Sequence, residues 1–152
     1  MALDFNWEGY LHHNVDLTFQ EFVHHFGTNS TRMLQIENSI QFFRIFRGCG
    51  CKIVYVDGSF VSKKKIPEDI DLCFDLSDVD PNELTKGFPE FFDINAIGTT
   101  HRDLHCHILH FDKEDKSLFT MLQYDRQGNP KGLVKLNILE ILTSYDKKRK
   151  TI

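Results

Sequence analysis

Two short segments carry residues whose types and spacing suit chemistry on phosphates. Gly58-Ser59 follows the β-branched and aromatic run Lys52-Ile-Val-Tyr-Val-Asp57, and after nine intervening residues comes Asp69-Ile70-Asp71-Leu72. On a strand, carboxylates at i and i+2 project from the same face. Like charges that close favour a bound divalent cation, which removes their repulsion. Oxygen-only ligands select Mg²⁺ or Mn²⁺ over zinc. Gly58 lets a backbone approach a phosphate without a Cβ in the way. Ser59 adds a hydroxyl donor, and exposed amides in such a turn can hold phosphate oxygens. Phosphate donors next to a carboxylate pair suggest phosphoryl or nucleotidyl transfer.

The elements that must position these residues can be read from periodicity. Thr18 to Phe26 predicts a short helix, with Thr18 and Glu21 at capping-box spacing and Gly27 as its stop. A longer helix is expected from about Thr31 to Arg47, where Met33, Ile36, Ile40 and Phe43 recur at helical spacing. Lys52 to Asp57 is β-branched and aromatic and predicts a buried strand. From Asp69 to Asp75 the pattern alternates, with Ile70, Leu72 and Phe74 on one face and Asp69, Asp71, Cys73 and Asp75 on the other. Asp80-Pro81-Asn82-Glu83 predicts a helix start that runs toward Gly87 to Pro89. Asp103 to Phe111 alternates again, placing Asp103, His105 and His107 on one face. Ser117 to Tyr124 predicts a short helix. Gln127 to Gly132 is turn-rich, and Gly132 to Leu142 suits strand or helix. The first ~15 residues show no clear period, and the tail from Asp146 is expected to fray. Helices and strands interleave, so the fold class is α/β or α+β, a mixed sheet flanked by helices.

Length and charge bound the function. The chain has 152 residues, the size of one domain. Residues 1–50 read as a lead-in and two helices, 52–111 as the core, and 112–152 as a C-terminal element with a basic tail. Eighteen Lys and Arg against 22 Asp and Glu give a net charge of -4, which offers no argument for nonspecific duplex binding. No apolar run approaches the roughly 20 residues of a membrane helix. The first residues lack a basic segment followed by an apolar one, so no secretory signal is expected. The four Cys, at 49, 51, 73 and 106, then read as reduced thiols of a cytoplasmic protein. Cys49-Gly-Cys51 lacks the usual zinc spacing. The Phe residues at 42, 43 and 46 suit a core or a dimer seam.

The pairing of Gly58-Ser59 with Asp69-Ile70-Asp71-Leu72 resembles the signature of the DNA polymerase beta-like nucleotidyltransferase superfamily. In that signature a hydrophobic strand ends in Gly-Gly or Gly-Ser. An acid, a hydrophobic residue, a second acid and a further hydrophobic residue follow after a short interval. The wider pattern is similar to a family of short nucleotidyltransferase-like proteins of bacterial, archaeal and phage-associated origin. It comprises Glu21-Phe22, Phe26-Gly27, Asp57-Gly-Ser-Phe60, Pro67-Glu-Asp-Ile-Asp71 and Asp125 to Gly132.

The resemblance implies a third carboxylate on a later strand. Asp103 is the first choice, with Asp112 and Asp93 as fallbacks. It implies two Mg²⁺ ions held by Asp69, Asp71 and Asp103, one activating an acceptor hydroxyl and one clamping a nucleoside triphosphate. Gly58 and Ser59 would hold the outer phosphates, and Lys63, in the run Lys63-Lys64-Lys65, could reach them. The acceptor would be a partner protein, as in toxin-antitoxin or phage-defence modules, or an RNA. A second copy of the chain could also supply acceptor contacts. Two features depart from the superfamily pattern. Asp57 stands where an apolar or aromatic residue is usual, and Phe60 follows Gly-Ser where many relatives place Arg. A catalytically silent nucleotide-binding or antitoxin-like module is the alternative reading, and a small nucleic-acid-binding protein of a mobile element is a third.

Overall fold

A computed structural model describes residues 2–80, 82–83 and 98–150, with the side chains of 98–100 and 149–150 excepted. Among the described residues, six strands form one mixed sheet in the order β1-β6-β2-β3-β5-β4. The strands are β1 (Val15–Asp16), β2 (Ile53–Asp57), β3 (Ile70–Asp75), β4 (Gly98–His101), β5 (Cys106–Phe111) and β6 (Val134–Asn137). The helices are α1 (Phe19–Phe26), α2 (Ser30–Gly48), α3 (Ser117–Leu122) and α4 (Ile138–Lys150). β2 lies antiparallel to β3 and to β6, while β3 and β5 run parallel. The α/β class expected from the interleaved pattern is the class observed.

Local signals explain most of these elements. Thr18 caps α1 in a reciprocal capping box with Glu21. Asn29 caps α2 by accepting the Arg32 amide. The apolar stripe of α2 (Ile36, Ile40, Phe42, Phe43 and Phe46) is buried against the sheet. Phe46 stacks flat on Phe74 of β3, with ring centroids 3.7 Å apart and planes 5° from parallel. Val54, Val56, Ile70, Leu72 and Phe74 of the sheet belong to this main core, with Phe22 and Phe26 of α1 and Ile138 and Ile141 of α4.

The opposite face of the sheet holds a smaller cluster. Cys73, Leu109 and Phe111 are buried there beneath Leu118, Phe119 and Leu122 of α3. The Phe119 ring lies 4.7 Å from that of Tyr55 and 4.9 Å from that of Phe111. This second layer explains why Cys73 is fully buried although it sits on the polar side of the alternation.

Two sequence expectations need correction, and two segments left open by the sequence take definite form. The strand expected from Asp103 begins only at Cys106. Arg102–Leu104 form a 3-10 turn, and His105 adopts a left-handed conformation (φ 55°) that resets the alternation. The lead-in, which shows no clear period in the sequence, takes up regular contacts. It holds β1, which pairs in parallel with β6, and a hairpin-like segment closed by a bridge between Phe5 and Leu11. Gly132 to Leu142 is neither strand nor helix throughout but β6 followed directly by α4. Finally, α4 continues to Lys150 in place of a frayed tail from Asp146, and Arg44 of α2 pairs with Asp146 at 2.6 Å. Of the helix expected from Asp80, the carboxylate of Asp80 accepts the Asn82 amide at 2.9 Å, Asn82 and Glu83 are helical, and the remainder lies outside the described residues.

Candidate functional site

The site lies at the end of β2, on the face of the sheet turned away from α2. Register places Asp57 of β2 directly opposite Asp71 of β3, and Asp71 beside His107 of β5. These residues form one row across the three strands, next to the cluster that α3 covers. Directly opposed like charges destabilise a sheet, so this row needs an external reason or a counter-charge.

The electrostatics reflect that conflict. Asp57 is only 3% exposed, and one of its carboxylate oxygens is buried with no hydrogen-bond partner. Burial pushes its pKa above the ordinary value, and Lys131, the Gly58 amide and His107 act against that rise. Asp71 is pushed up to about 7, first by burial and then by the negative charges of Asp57 and Asp69. Lys131 is the cation that opposes this shift. A carboxylate pair left short of compensation in a partly dry site is a recognisable mark of a functional position.

Gly58 owes its identity to the same geometry. It has φ +74°, and a Cβ placed on it would lie 2.5 Å from the Asp71 carboxylate oxygen Oδ2. The missing side chain therefore makes room for Asp71. From Gly58 the chain turns into a 3-10 segment, Gly58–Val61, which buries Phe60 and half-buries Ser59. The Ser59 carbonyl accepts the Ser62 hydroxyl at 2.6 Å.

The connection from this turn to β3 is held by two α2 side chains that sequence reading did not single out. Arg32 is buried at 3% exposure. Its guanidinium donates to the carbonyls of Phe26, Phe60, Ser62, Lys64 and Lys65, and it lies 4.9 Å from the Phe60 ring centre. Gln35 donates to the carbonyls of Pro67 (2.7 Å) and Glu68 (3.2 Å), immediately before Asp69. Six backbone carbonyls of this non-regular loop, from Phe60 to Glu68, are thus supplied from one helix face. The signal was a polar pair, Arg32 and Gln35, on the same side of α2 as Ile36 and Ser39.

The sequence-predicted residues divide accordingly. Gly58, Asp69 and Asp71 are brought together, and Ser59 adjoins them. Asp103 is not. It is exposed on the turn Arg102–Leu104, which the Asn38 amide ties to α2 through the Leu104 carbonyl. The negative charges that act on Asp71 are those of Asp57 and Asp69. The β3–β5 register makes His107 the neighbour of Asp71, and Asp103 lies outside β5, in the 3-10 turn before the left-handed His105. Asp112 caps a surface turn through the Glu114 and Asp115 amides, and Asp93 lies outside the described residues. Lys63 is exposed, with its ammonium 5.4 Å from the Phe5 ring centre. The cation that serves the carboxylates is Lys131, in the turn-rich loop before β6.

Among the described residues, no group of three or more His, Cys, Asp or Glu side chains forms a metal cage. The row instead offers two facing carboxylates with Asp69 nearby. Mg²⁺ is commonly held by one or two carboxylates, with substrate phosphates and water completing its shell. The unpartnered oxygen of Asp57 and the oxygen-only donor set fit such an ion. Among the described residues, no helix is long and apolar enough to cross a membrane.

Comparison with known proteins places the chain in one family. It matches DUF6932, a family of unknown function, over residues 3–137, and it belongs to that family. The matched span takes in Asp57, Gly58, Asp71 and Lys131 and stops at the last residue of β6. No curated protein and no solved structure matches it.

Proposed function

We propose that this chain is a nucleotidyltransferase-like protein. It transfers a nucleoside monophosphate from a nucleoside triphosphate to a hydroxyl group, with Mg²⁺ or Mn²⁺ as cofactor. The observation that carries the reading is the placement of Asp57 opposite Asp71, beside Gly58. An acid pair with an unpartnered buried oxygen is costly in isolation and becomes favourable when it holds a cation on a triphosphate. In the reaction the acceptor oxygen bonds to the α-phosphorus, the bond to pyrophosphate breaks, and the hydroxyl proton passes to water. A bound divalent ion supplies charge neutralisation for the triphosphate and eases deprotonation of the acceptor. Asp57 and Asp71 hold the charge-bearing end of the substrate, Asp69 strengthens the negative field, and Lys131 offsets it. Catalysis by such a site rests on positioning and electrostatics.

The acceptor class proposed is a partner protein, as in toxin-antitoxin or phage-defence modules, or an RNA. A cytoplasmic setting suits four buried free thiols. The position of Asp103 away from the row favours a second reading, in which the chain binds nucleotide without transferring it. One experiment separates the two. Purified protein is incubated with Mg²⁺ or Mn²⁺, α-labelled nucleoside triphosphates and a lysate as the acceptor source. Transfer that is lost in both Asp57→Asn and Asp71→Asn supports the enzyme. Binding without transfer supports the silent module, and transfer that survives both changes defeats the assignment.

A further inference from the structure

The acid row has a wall beside it that no sequence motif announced. The segment from Phe5 to Leu11 folds back on itself, with the Asn6 amide donating to the Tyr10 carbonyl at 2.7 Å. One side of it meets the chain just after the Gly58 turn. Tyr10 bridges Ser62, and the Lys63 amide donates to the Gly9 carbonyl at 2.9 Å. Its other side meets the loop that carries Lys131. The Asn6 side chain donates to the Pro130 carbonyl at 2.9 Å, Asn129 donates to the Glu8 carboxylate at 3.2 Å, and the Gly132 amide donates to the Leu11 carbonyl at 2.8 Å. The segment therefore spans the site from the Gly58 side to the Lys131 side.

Its aromatic residues are used unequally. Phe5 lies under the Lys63 ammonium, and Tyr10 lies 5.8 Å from that of Lys131. Trp7, between the two residues that anchor the loop, is 89% exposed. Its neighbours Asn6 and Glu8 are tied to Pro130 and Asn129, so the position of Trp7 along the chain is fixed beside the loop that carries Lys131. An exposed aromatic side chain on the same loop as Tyr10, whose ring meets the ammonium of Lys131, the cation that acts on the acid pair, supplies parts that suit a nucleotide: a surface for a flat base, then a phosphate contact, then the metal-binding charge.

We infer that Trp7 is the base-stacking residue of the nucleotide site and Lys131 its phosphate contact. The ligand is then a nucleoside triphosphate recognised through its π-face. Because stacking does not read base edges, all four bases should bind, with purines favoured for their larger face. This inference rests on the proposed function, since it uses Asp57 and Asp71 as the phosphate end of the site.

The chain contains a single Trp, so its fluorescence reports directly on the assignment. The test is a fluorescence titration of the full chain with Mg²⁺ and each of the four nucleoside triphosphates, with inorganic tripolyphosphate as the baseless probe. Equilibrium dialysis supplies affinities independent of fluorescence. The expected result is saturable quenching by nucleotides and none by tripolyphosphate, although tripolyphosphate binds. Trp7→Ala should weaken nucleotide binding by roughly tenfold and leave tripolyphosphate binding unchanged. Lys131→Ala should weaken both ligands. Nucleotide binding that needs Asp71 but neither quenches Trp7 nor weakens in Trp7→Ala overturns this inference and leaves the proposed function standing. Absence of binding by every triphosphate, with or without a base, overturns both.

Discussion

Asp57 and Asp71 are direct ladder partners on β2 and β3, with both carboxylates on the face turned away from α2. A sheet does not gain stability from such a pair. Its placement beside a glycine that makes room for one carboxylate is the strongest mark of function in the fold.

The pair should give stability a distinctive pH dependence in metal-free buffer. A carboxyl whose folded pKa lies above its unfolded value stabilises the fold at low pH and loses that contribution as pH rises through the folded value. For Asp71 that value is about 7, and Asp57 is shifted in the same direction. His101 and His110, lowered by burial, act oppositely and cost stability as pH falls below the ordinary imidazole value. A comparison of variants cancels the histidine contribution. The stability of Asp71→Asn relative to the parent chain should rise by about 2–3 kcal/mol between pH 5 and pH 8 and level off above that. Urea unfolding across that range measures it, and a gap independent of pH contradicts the electrostatic account.

Gly58 and Asp71 should be energetically coupled. Gly58→Ala adds a Cβ at a positive φ and against the Asp71 carboxylate. It should cost about 2–3 kcal/mol, part of it backbone strain and part the clash. Asp71→Ala removes the clash but not the strain. A double-mutant cycle should therefore show the double variant to be more stable than the sum of the single changes implies. Additive effects would mean that Gly58 serves the turn alone.

Arg32 should behave as a positioning residue for the loop between the Gly58 turn and β3. Removing its guanidinium strands several buried carbonyls, and Arg32→Ala should cost about 3 kcal/mol or more. Arg32→Lys should recover little, because an ammonium cannot reproduce the planar fork. Amide hydrogen exchange gives the specific readout. Exchange should rise first in the segment from Phe60 to Glu68, whereas uniform loosening of the whole sheet would assign Arg32 a general core role.

Some of this was legible in the residues and some was not. β3 announced itself by alternation and α1 by its capping box, because those signals are local. Asp57 was visible only as an oddity, since its partner across the sheet depends on β2–β3 register, which the intervening loop sets. That loop in turn depends on Arg32 and Gln35, two polar side chains on the buried side of α2 whose partners lie about thirty residues away in the chain. Asp103 was misplaced because His105 reaches a left-handed conformation without the glycine that usually signals one. Lys131 lies some sixty residues from Asp71 in the chain and is brought near only by β6 pairing with β2. The small cluster under α3 was hidden for a related reason, as a two-faced sheet buries residues that strict alternation assigns to solvent.

The most direct test of the central claim is Mn²⁺ binding, measured by electron paramagnetic resonance with a non-hydrolysable nucleoside triphosphate present. The account predicts that the nucleotide strengthens Mn²⁺ binding to the parent chain. Asp57→Asn and Asp71→Asn should each weaken it by tenfold or more, the scale for loss of a charged ligand partner, while Asp103→Asn should leave it unchanged. Binding that survives loss of Asp57 and Asp71 but depends on Asp103 would contradict the account and move the site to the turn before β5.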